Sequence, residues 1–319
     1  MKIDSRFEGL PIIIGGCGRS GTSLLLSILS ANPGIFAIPD ETNAFCPTAY
    51  TPNTDLNAPL ELDRIRQILS TSQVPNKATR WCEKTPKNII FFRKILQIFG
   101  RDIQLINIVR DGRDVITSRH PSNPDRSRVG LERWIQDVNA GVAFDTHPQV
   151  LVVKYESLIL NFRETVERIC KFLGEPVNAR ILEWHTYATV RRHSAWPGTL
   201  KAMHSQSIGR WRLPEYDDLV AEMMADVDAI RLLKHYGYLP ASTKPVGAWK
   251  PRVVARWLNR RIPAGVKSRM PAGLKLPVKR HLGLGDQGNA NSEKRTCCCS
   301  YDKQRRESDC TKGQAKSEM

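Results

Sequence analysis

Pro11-Ile12-Ile13-Ile14-Gly15-Gly16-Cys17-Gly18-Arg19-Ser20-Gly21-Thr22-Ser23 is the stretch that decides the fold. The β-branched run Ile12-Ile13-Ile14 reads as a buried strand that breaks at Gly15-Gly16. From Thr22, the apolar positions Leu24, Leu25, Leu26, Ile28 and Leu29 make a dense helical segment, which stops at Asn32-Pro33-Gly34. Strand, glycine-rich loop and helix form the first unit of a parallel sheet. The loop fits the frame G-x-x-x-x-G-x-[ST], with Thr22 where a nucleotide-hydrolysing loop carries lysine. Glycines let the backbone wrap an anion, and the N–H groups opening the helix point at it. Arg19 adds a cation with several donors, and Ser20, Thr22 and Ser23 add hydroxyls. The competing reading is an ordinary tight turn.

Working outward, a short strand is expected at 34–38, ending in Pro39-Asp40-Glu41-Thr42. A helix is expected over 62–69 and an apolar helix over 89–99, preceded by Trp81-Cys82-Glu83-Lys84-Thr85-Pro86-Lys87-Asn88. Gln104 to Val109 is another buried strand, and Arg110-Asp111-Gly112-Arg113-Asp114 opens the next helix. Val150 to Val153 is a third strand, followed by Lys154-Tyr155-Glu156. Helices are expected over 162–172 and, as one long segment, over 216–236. Strands alternating with helices imply an α/β domain, a parallel β-sheet flanked by helices on both faces. Ligands in such sheets bind beyond the C-terminal strand ends, where the polar residues named above converge.

The 319 residues suffice for one large domain and a tail. Net charge is +16, but residues 241–319 hold 18 Lys/Arg and 6 Asp/Glu, so the first 240 residues carry only +4. The basic signal therefore does not argue for a nucleic-acid-binding domain, and no specific nucleic acid partner is expected. The division expected is a catalytic domain over 1–240, a basic extension over 241–285 and a disordered polar tail over 286–319. Eight cysteines without metal spacing, three of them adjacent at 297–299, read as reduced thiols. With no apolar signal core and no window of about 18 apolar residues, a cytoplasmic location is expected.

The ordered motifs resemble those of sulfotransferases that use 3′-phosphoadenosine 5′-phosphosulfate (PAPS). Gly18-Arg19-Ser20-Gly21-Thr22-Ser23-Leu24-Leu25 resembles their 5′-phosphosulfate loop. Val109-Arg110-Asp111-Gly112-Arg113-Asp114-Val115, with Ser118 eight residues after Arg110, looks like their 3′-phosphate motif. Val153-Lys154-Tyr155-Glu156, Ile208-Gly209-Arg210-Trp211-Arg212 and Tyr236-Gly237-Tyr238 resemble later family segments. The resemblance covers about residues 10–240. It implies a P-loop kinase-like three-layer sandwich, PAPS as co-substrate, transfer of a sulfuryl group to an acceptor hydroxyl and no catalytic metal.

It also implies roles for individual residues. Gly18, Arg19, Ser20, Gly21, Thr22 and Ser23 would bind the 5′-phosphosulfate, with Arg19 sharing transition-state charge. Arg110 and Ser118 would bind the 3′-phosphate, and Arg210 is a further candidate for it. Tyr155 packs near adenosine or in the core, and Trp211 stacks on adenine or fills the core. Glu41 is the candidate base, as a nearby glutamate is in the tyrosylprotein and heparan-type branches, with Asp40 its competitor. The small-molecule branch instead places a histidine two residues after a lysine, and here Pro86 stands there after Lys84. Lys84 is the candidate for stabilising the departing oxygen, and Lys87 is solvated or acceptor-facing. Gly209 replaces a serine of the tyrosylprotein branch. His193 and His204 read as surface histidines.

The acceptor expected is a carbohydrate, glycolipid or other hydroxyl compound. Residues 246–262, with Trp249 and Trp257 among arginines, suit peripheral contact with an anionic membrane, against a helix packed on the domain or a solvated charge run. Two other function classes compete. One is a P-loop kinase or nucleotide hydrolase, which Thr22 counts against. The other is a non-enzymatic module recruiting membrane or nucleic acid through the basic tail.

Overall fold

The computed structural model describes residues 3–47, 55–120, 123–127, 129–191 and 205–245. In chain order, β1 (Ile12–Gly16) leads into α1 (Thr22–Leu29), then β2 (Ile35–Ala37), α2 (Leu62–Thr71) and β3 (Arg80–Lys84). A 3₁₀ turn over Pro86–Phe91 continues into α3 (Phe92–Phe99), followed by β4 (Gln104–Val109) and α4 (Gly112–Ile116). A small hairpin of β5 (Arg119–His120) and β6 (Asn123–Ser127) precedes α5 (Leu131–Val142). Then come β7 (Val150–Lys154), α6 (Tyr155–Leu160), α7 (Phe162–Leu173), α8 (Ala179–Leu182) and α9 (Trp184–Tyr187). The last two are α10 (Asp217–Met224) and α11 (Val227–His235).

The main sheet is parallel throughout, in the order β2-β3-β1-β4-β7. β1 lies at its centre, with Ile12 opposite Cys82 on one side and Gln104 on the other. That placement is why all five residues of β1 are buried and why its sequence is apolar without alternation. One face of the sheet packs on α1, α7, α8 and α9 through Ile12, Leu25, Leu26, Ile106, Val166 and Ile169. The other face packs on α2, α3 and the N-terminal segment through Ile13, Trp81, Phe92, Ile95 and Leu105. A third cluster joins α4, α5, α10 and α11 around Val115, Trp134, Met223 and Leu232. The result is the three-layer architecture expected. Fully burying a leucine such as Leu25 contributes about 1.5–3 kcal/mol, so α1 is anchored firmly behind the loop it follows.

Three sequence readings are corrected. Residues 80–84 form an interior strand rather than a connection. Arg80, Trp81, Cys82, Glu83 and Lys84 are all buried, and their charges disguised the strand. The helix expected over 89–99 starts as a 3₁₀ turn at Pro86 and becomes α-helical only at Phe92. The single helix expected over 216–236 is two helices. It breaks at Ala225-Asp226, where the Asp226 carboxylate caps α11 by accepting from the Asp228 and Ala229 N–H groups. In addition, residues 119–120 and 123–127, for which the sequence suggested no element, pair as the antiparallel β5 and β6. The extension over 246–262, the tail over 286–319 and both His193 and His204 lie outside the described residues.

Candidate active site

The site gathers at the C-terminal ends of β3, β1, β4 and β7. Gly16 leaves β1 with φ +143°, and a Cβ there would lie 2.3 Å from the Ile108 carbonyl oxygen. Gly21 turns the chain into α1 with φ +96°, where a Cβ would lie 2.5 Å from the Tyr155 ring. Only glycine fits either position without displacing backbone or ring. Gly21 gives the first-turn N–H groups of α1 no side-chain acceptor, which leaves them for an anion. Arg19 holds a left-handed conformation, φ +70°, a strained state for a side-chain-bearing residue.

The two arginines expected to grip one ligand are brought together on the same edge. Arg19 Nε donates to Ser118 Oγ at 2.7 Å. Arg110 donates to the Arg19 carbonyl oxygen at 2.9 Å and to the Ser207 carbonyl oxygen at 2.5 Å. Its guanidinium stacks 4.4 Å from the centre of the Tyr155 ring, whose hydroxyl shares a 2.8 Å hydrogen bond with Ser207 Oγ. Tyr155 is thus a buried support for Arg110. Arg210 is exposed and lies 5.7 Å from the Tyr216 ring, which Arg119 also approaches at 4.9 Å. Arg210 and Arg119, the residue that follows Ser118, thus both approach the Tyr216 ring. Trp211 is half-buried, with the guanidiniums of Arg113 and Arg212 over its ring at 4.0 and 4.5 Å.

Two polar atoms test whether a doubly phosphorylated nucleotide suits this edge. Ser20 Oγ and Arg110 Nε are both buried and have no hydrogen-bond partner among the described residues. Leaving a buried donor unmet costs about 1–3 kcal/mol. One lies in the glycine loop and the other on the second arginine, so the residues fit an anion at each place. Gly18, Thr22 and Ser23 complete the loop, Thr22 buried and the other two half-buried.

The charged pair lies on the neighbouring strand. Lys84 ends β3 with its side chain 0% exposed, and its Nζ donates to Glu41 Oε1 at 2.8 Å, while Glu41 is 29% exposed. Burial pushes the Lys84 ammonium below its usual range, and the Glu41 carboxylate pulls against that shift. Asp40, the competitor, is exposed. Lys87 is half-buried and close enough for its charge to oppose the rise of the Cys46 thiol, which burial takes to about 11.

Several residues at the site carried no assigned role in sequence. Glu83 is fully buried, and burial raises its carboxyl above the usual range against bonds from Thr85, Asn88 and Thr42. Asp114 accepts from the Gly209 and Trp211 N–H groups at 2.8 and 3.1 Å, tying the late Gly-Arg-Trp segment to α4. Glu156 accepts from the Asp111 N–H at 3.0 Å and the Tyr238 hydroxyl at 2.8 Å. Behind the loop, the Cys17 thiol hydrogen-bonds the fully buried Asp137, which pairs with Arg133 at 3.4 Å. A charged residue inside a short segment between two helices was the available signal for Glu83. Ser207 offered none.

Comparison with known proteins adds independent findings. Residues 11–179 match the model of the family described as the sulfotransferase family. A protein-tyrosine sulfotransferase of Drosophila melanogaster is 24% identical over 280 residues, covering 76% of this chain and 55% of the relative. The chain thus spans about half the length of that relative. Protein-tyrosine sulfotransferase A of Caenorhabditis elegans is 23% identical over 273 residues, covering 73% of this chain and 68% of the relative. Among solved structures, the sulfotransferase domain from the curacin biosynthetic pathway superposes with a TM-score of 0.52 at 19% identity. It covers 74% of this chain and all of that domain. The corresponding domain of the Synechococcus PCC 7002 olefin synthase also gives 0.52 at 19% identity, covering 75% and 99%. These two superpositions speak to the fold.

Proposed function

The chain belongs to the sulfotransferase family, and from that premise we propose that it transfers a sulfuryl group from PAPS to a hydroxyl-bearing acceptor by in-line displacement. The observation that carries the reading is the 2.8 Å pair of buried Lys84 and half-exposed Glu41 beside the loop where Arg19 meets Ser118. When bound, PAPS supplies the sulfuryl group, whose bond to the phosphate oxygen breaks as the bond to the acceptor oxygen forms.

Each residue then has a task set by its chemistry. Arg19, Ser20, Thr22, Ser23 and the N–H groups of the Gly18–Gly21 loop hold the 5′ end. Arg110 and Ser118 hold the 3′-phosphate, with Arg210 nearby and Tyr155 bracing Arg110. Lys84 meets negative charge as it develops on the departing oxygen. Glu41 takes the proton of the acceptor hydroxyl. An ammonium parked against the base until it is needed elsewhere explains why a wholly buried lysine is kept charged beside Glu41.

The acceptor class is the finer part of the proposal. Protein-tyrosine sulfotransferases among the relatives support a tyrosine hydroxyl as the first acceptor to try. Carbohydrate and glycolipid hydroxyls follow, the last favoured if residues 246–262 engage membrane. The alternative of nucleotide hydrolysis is not favoured, because Thr22 replaces the lysine that meets terminal phosphates.

The test is incubation with radiolabelled PAPS and a panel of a tyrosine-bearing peptide, an oligosaccharide and glycolipid vesicles. Calorimetry with adenosine 3′,5′-bisphosphate runs alongside. Label on one acceptor and saturable nucleotide binding are expected. Absence of both overturns the assignment.

A further inference from the structure

We propose that Glu83 is a positioning residue for the reaction: its buried carboxylate fixes the turn that carries Glu41 and so holds Glu41 against Lys84. This rests on the reading of Glu41 as proton acceptor. The geometry is a set of three adjacent rungs. Lys84 Nζ donates to Glu41 Oε1 at 2.8 Å. Glu83 Oε1 accepts from the Thr42 hydroxyl at 2.9 Å and the Thr42 N–H at 3.3 Å. Thr85 Oγ1 accepts from the Asn43 N–H at 3.3 Å. Three consecutive residues at the end of β3 therefore grip three consecutive residues of the turn, and Asn43 holds a left-handed φ of +55° within it.

Glu83 is the member that ties these rungs to the sheet. Thr85 Oγ1 donates to its Oε1 at 2.6 Å, and Asn88 Nδ2 donates to its Oε2 at 2.7 Å. The same Asn88 amide donates to the Ile14 carbonyl oxygen at 3.2 Å, two residues before the phosphate loop begins. Glu41 is thereby referenced to β1 and to the loop at once. Lys84 bonds Glu41 directly, whereas Glu83 holds the backbone N–H and hydroxyl of the next residue and, through Asn88, is tied to β1. A fully buried carboxylate is expensive in a layer otherwise formed by Trp81, Ile89 and Phe92. Its four donors, all from the turn or from the segment after β3, point to placement as its use.

The test separates this inference from the base assignment. Thr42→Val keeps volume and removes the hydroxyl bond to Glu83 while leaving the backbone one, and Glu83→Ala removes the anchor. With the labelled acceptor, each is expected to lower kcat about tenfold or more, with KM for PAPS and Kd for adenosine 3′,5′-bisphosphate within about twofold of the parent. In a Glu41→Gln background, Thr42→Val is expected to add less than about twofold, since positioning matters only while the base is present. Crystal structures of both variants report the Lys84–Glu41 separation, which is expected to open. Full turnover by folded Thr42→Val, an additive loss in the Glu41→Gln background, or a retained 2.8 Å pair in folded Glu83→Ala each overturns the inference. If Glu41→Gln is itself fully active, the base assignment falls. The crystallographic separation then decides the role of Glu83 by itself, as it does if Glu83→Ala fails to fold and only Thr42→Val can be read.

Discussion

The two halves of the site are built on opposite plans. On the side proposed to hold the nucleotide, the arginines bond partners that can be exchanged. Arg110 donates to two backbone carbonyl oxygens, and Arg19 donates to the Ser118 hydroxyl. A phosphate oxygen is a stronger acceptor than either kind of partner, so the ligand trades bonds rather than creating order. On the chemical side, Lys84 is wholly buried against a carboxylate whose turn is held by further buried groups. The difference teaches that the arginine contacts can be exchanged for those of a ligand, whereas the Lys84–Glu41 pair, the proposed proton and charge relay, is held in place by the fold. Preassembly matters most where charge develops, since donors already aimed need no reorganisation during reaction.

If that contrast is right, variants on the two sides separate into turnover effects and binding effects. The largest effect is expected for Lys84→Ala, which should cut kcat by about 10²- to 10³-fold while leaving nucleotide affinity nearly unchanged. Single-turnover transfer with saturating PAPS measures it. A kcat close to the parent's would place the charge-stabilising group elsewhere. Arg110→Ala removes charge-assisted bonds worth about 1.5–3 kcal/mol, so nucleotide Kd should rise about 10- to 100-fold. Calorimetry with adenosine 3′,5′-bisphosphate reads this directly, and unchanged affinity would break the comparison. Ser118→Ala removes one neutral hydroxyl worth about 0.5–1.5 kcal/mol, a loss of about two- to tenfold in the same measurement.

The smallest effect concerns stability and pH. Burial raises the Glu83 carboxyl above its unfolded value of 4.5. Its stabilising contribution is therefore complete below that value and is lost as pH rises through the raised folded value. Glu83→Gln does not titrate. The Tm difference, variant minus parent, should drift in the variant's favour as pH rises from about 4.5 and then level off. A flat difference between acid and neutral pH would mean that Glu83 keeps an ordinary carboxyl in the fold.

Some of this was legible from local pattern. The strand-loop-helix unit at 11–29 could be read because three isoleucines, two glycine turns and a leucine-rich helix each obey near-neighbour rules. The motifs around Arg110, Tyr155, Arg210 and Tyr238 were legible too, and the fold shows why they occur as a set. Glu156 bonds Asp111 and Tyr238, Asp114 bonds Gly209 and Trp211, and Tyr155 supports Arg110. β3 was not legible. A strand carrying Arg80, Glu83 and Lys84 looks like a surface segment until both of its neighbours are known. Arg80 in fact reaches the Leu173 carbonyl oxygen at 2.7 Å and Glu175 at 3.4 Å, partners more than ninety residues away.

The amino-acid order by itself determined the parallel α/β class, the glycine loop between β1 and α1 and the placing of Arg19 and Arg110 just after two strands, because each depends on residues within a few places of one another. Tertiary structure alone decided that Glu41 faces Lys84 across 43 positions, that Ser207 meets Arg110 across 97, and that Glu83 bonds Thr42 across 41. The physical reason is that a charged side chain takes its role from the donors, acceptors and burial around it. Those are supplied by the folding of distant segments onto one edge of the sheet.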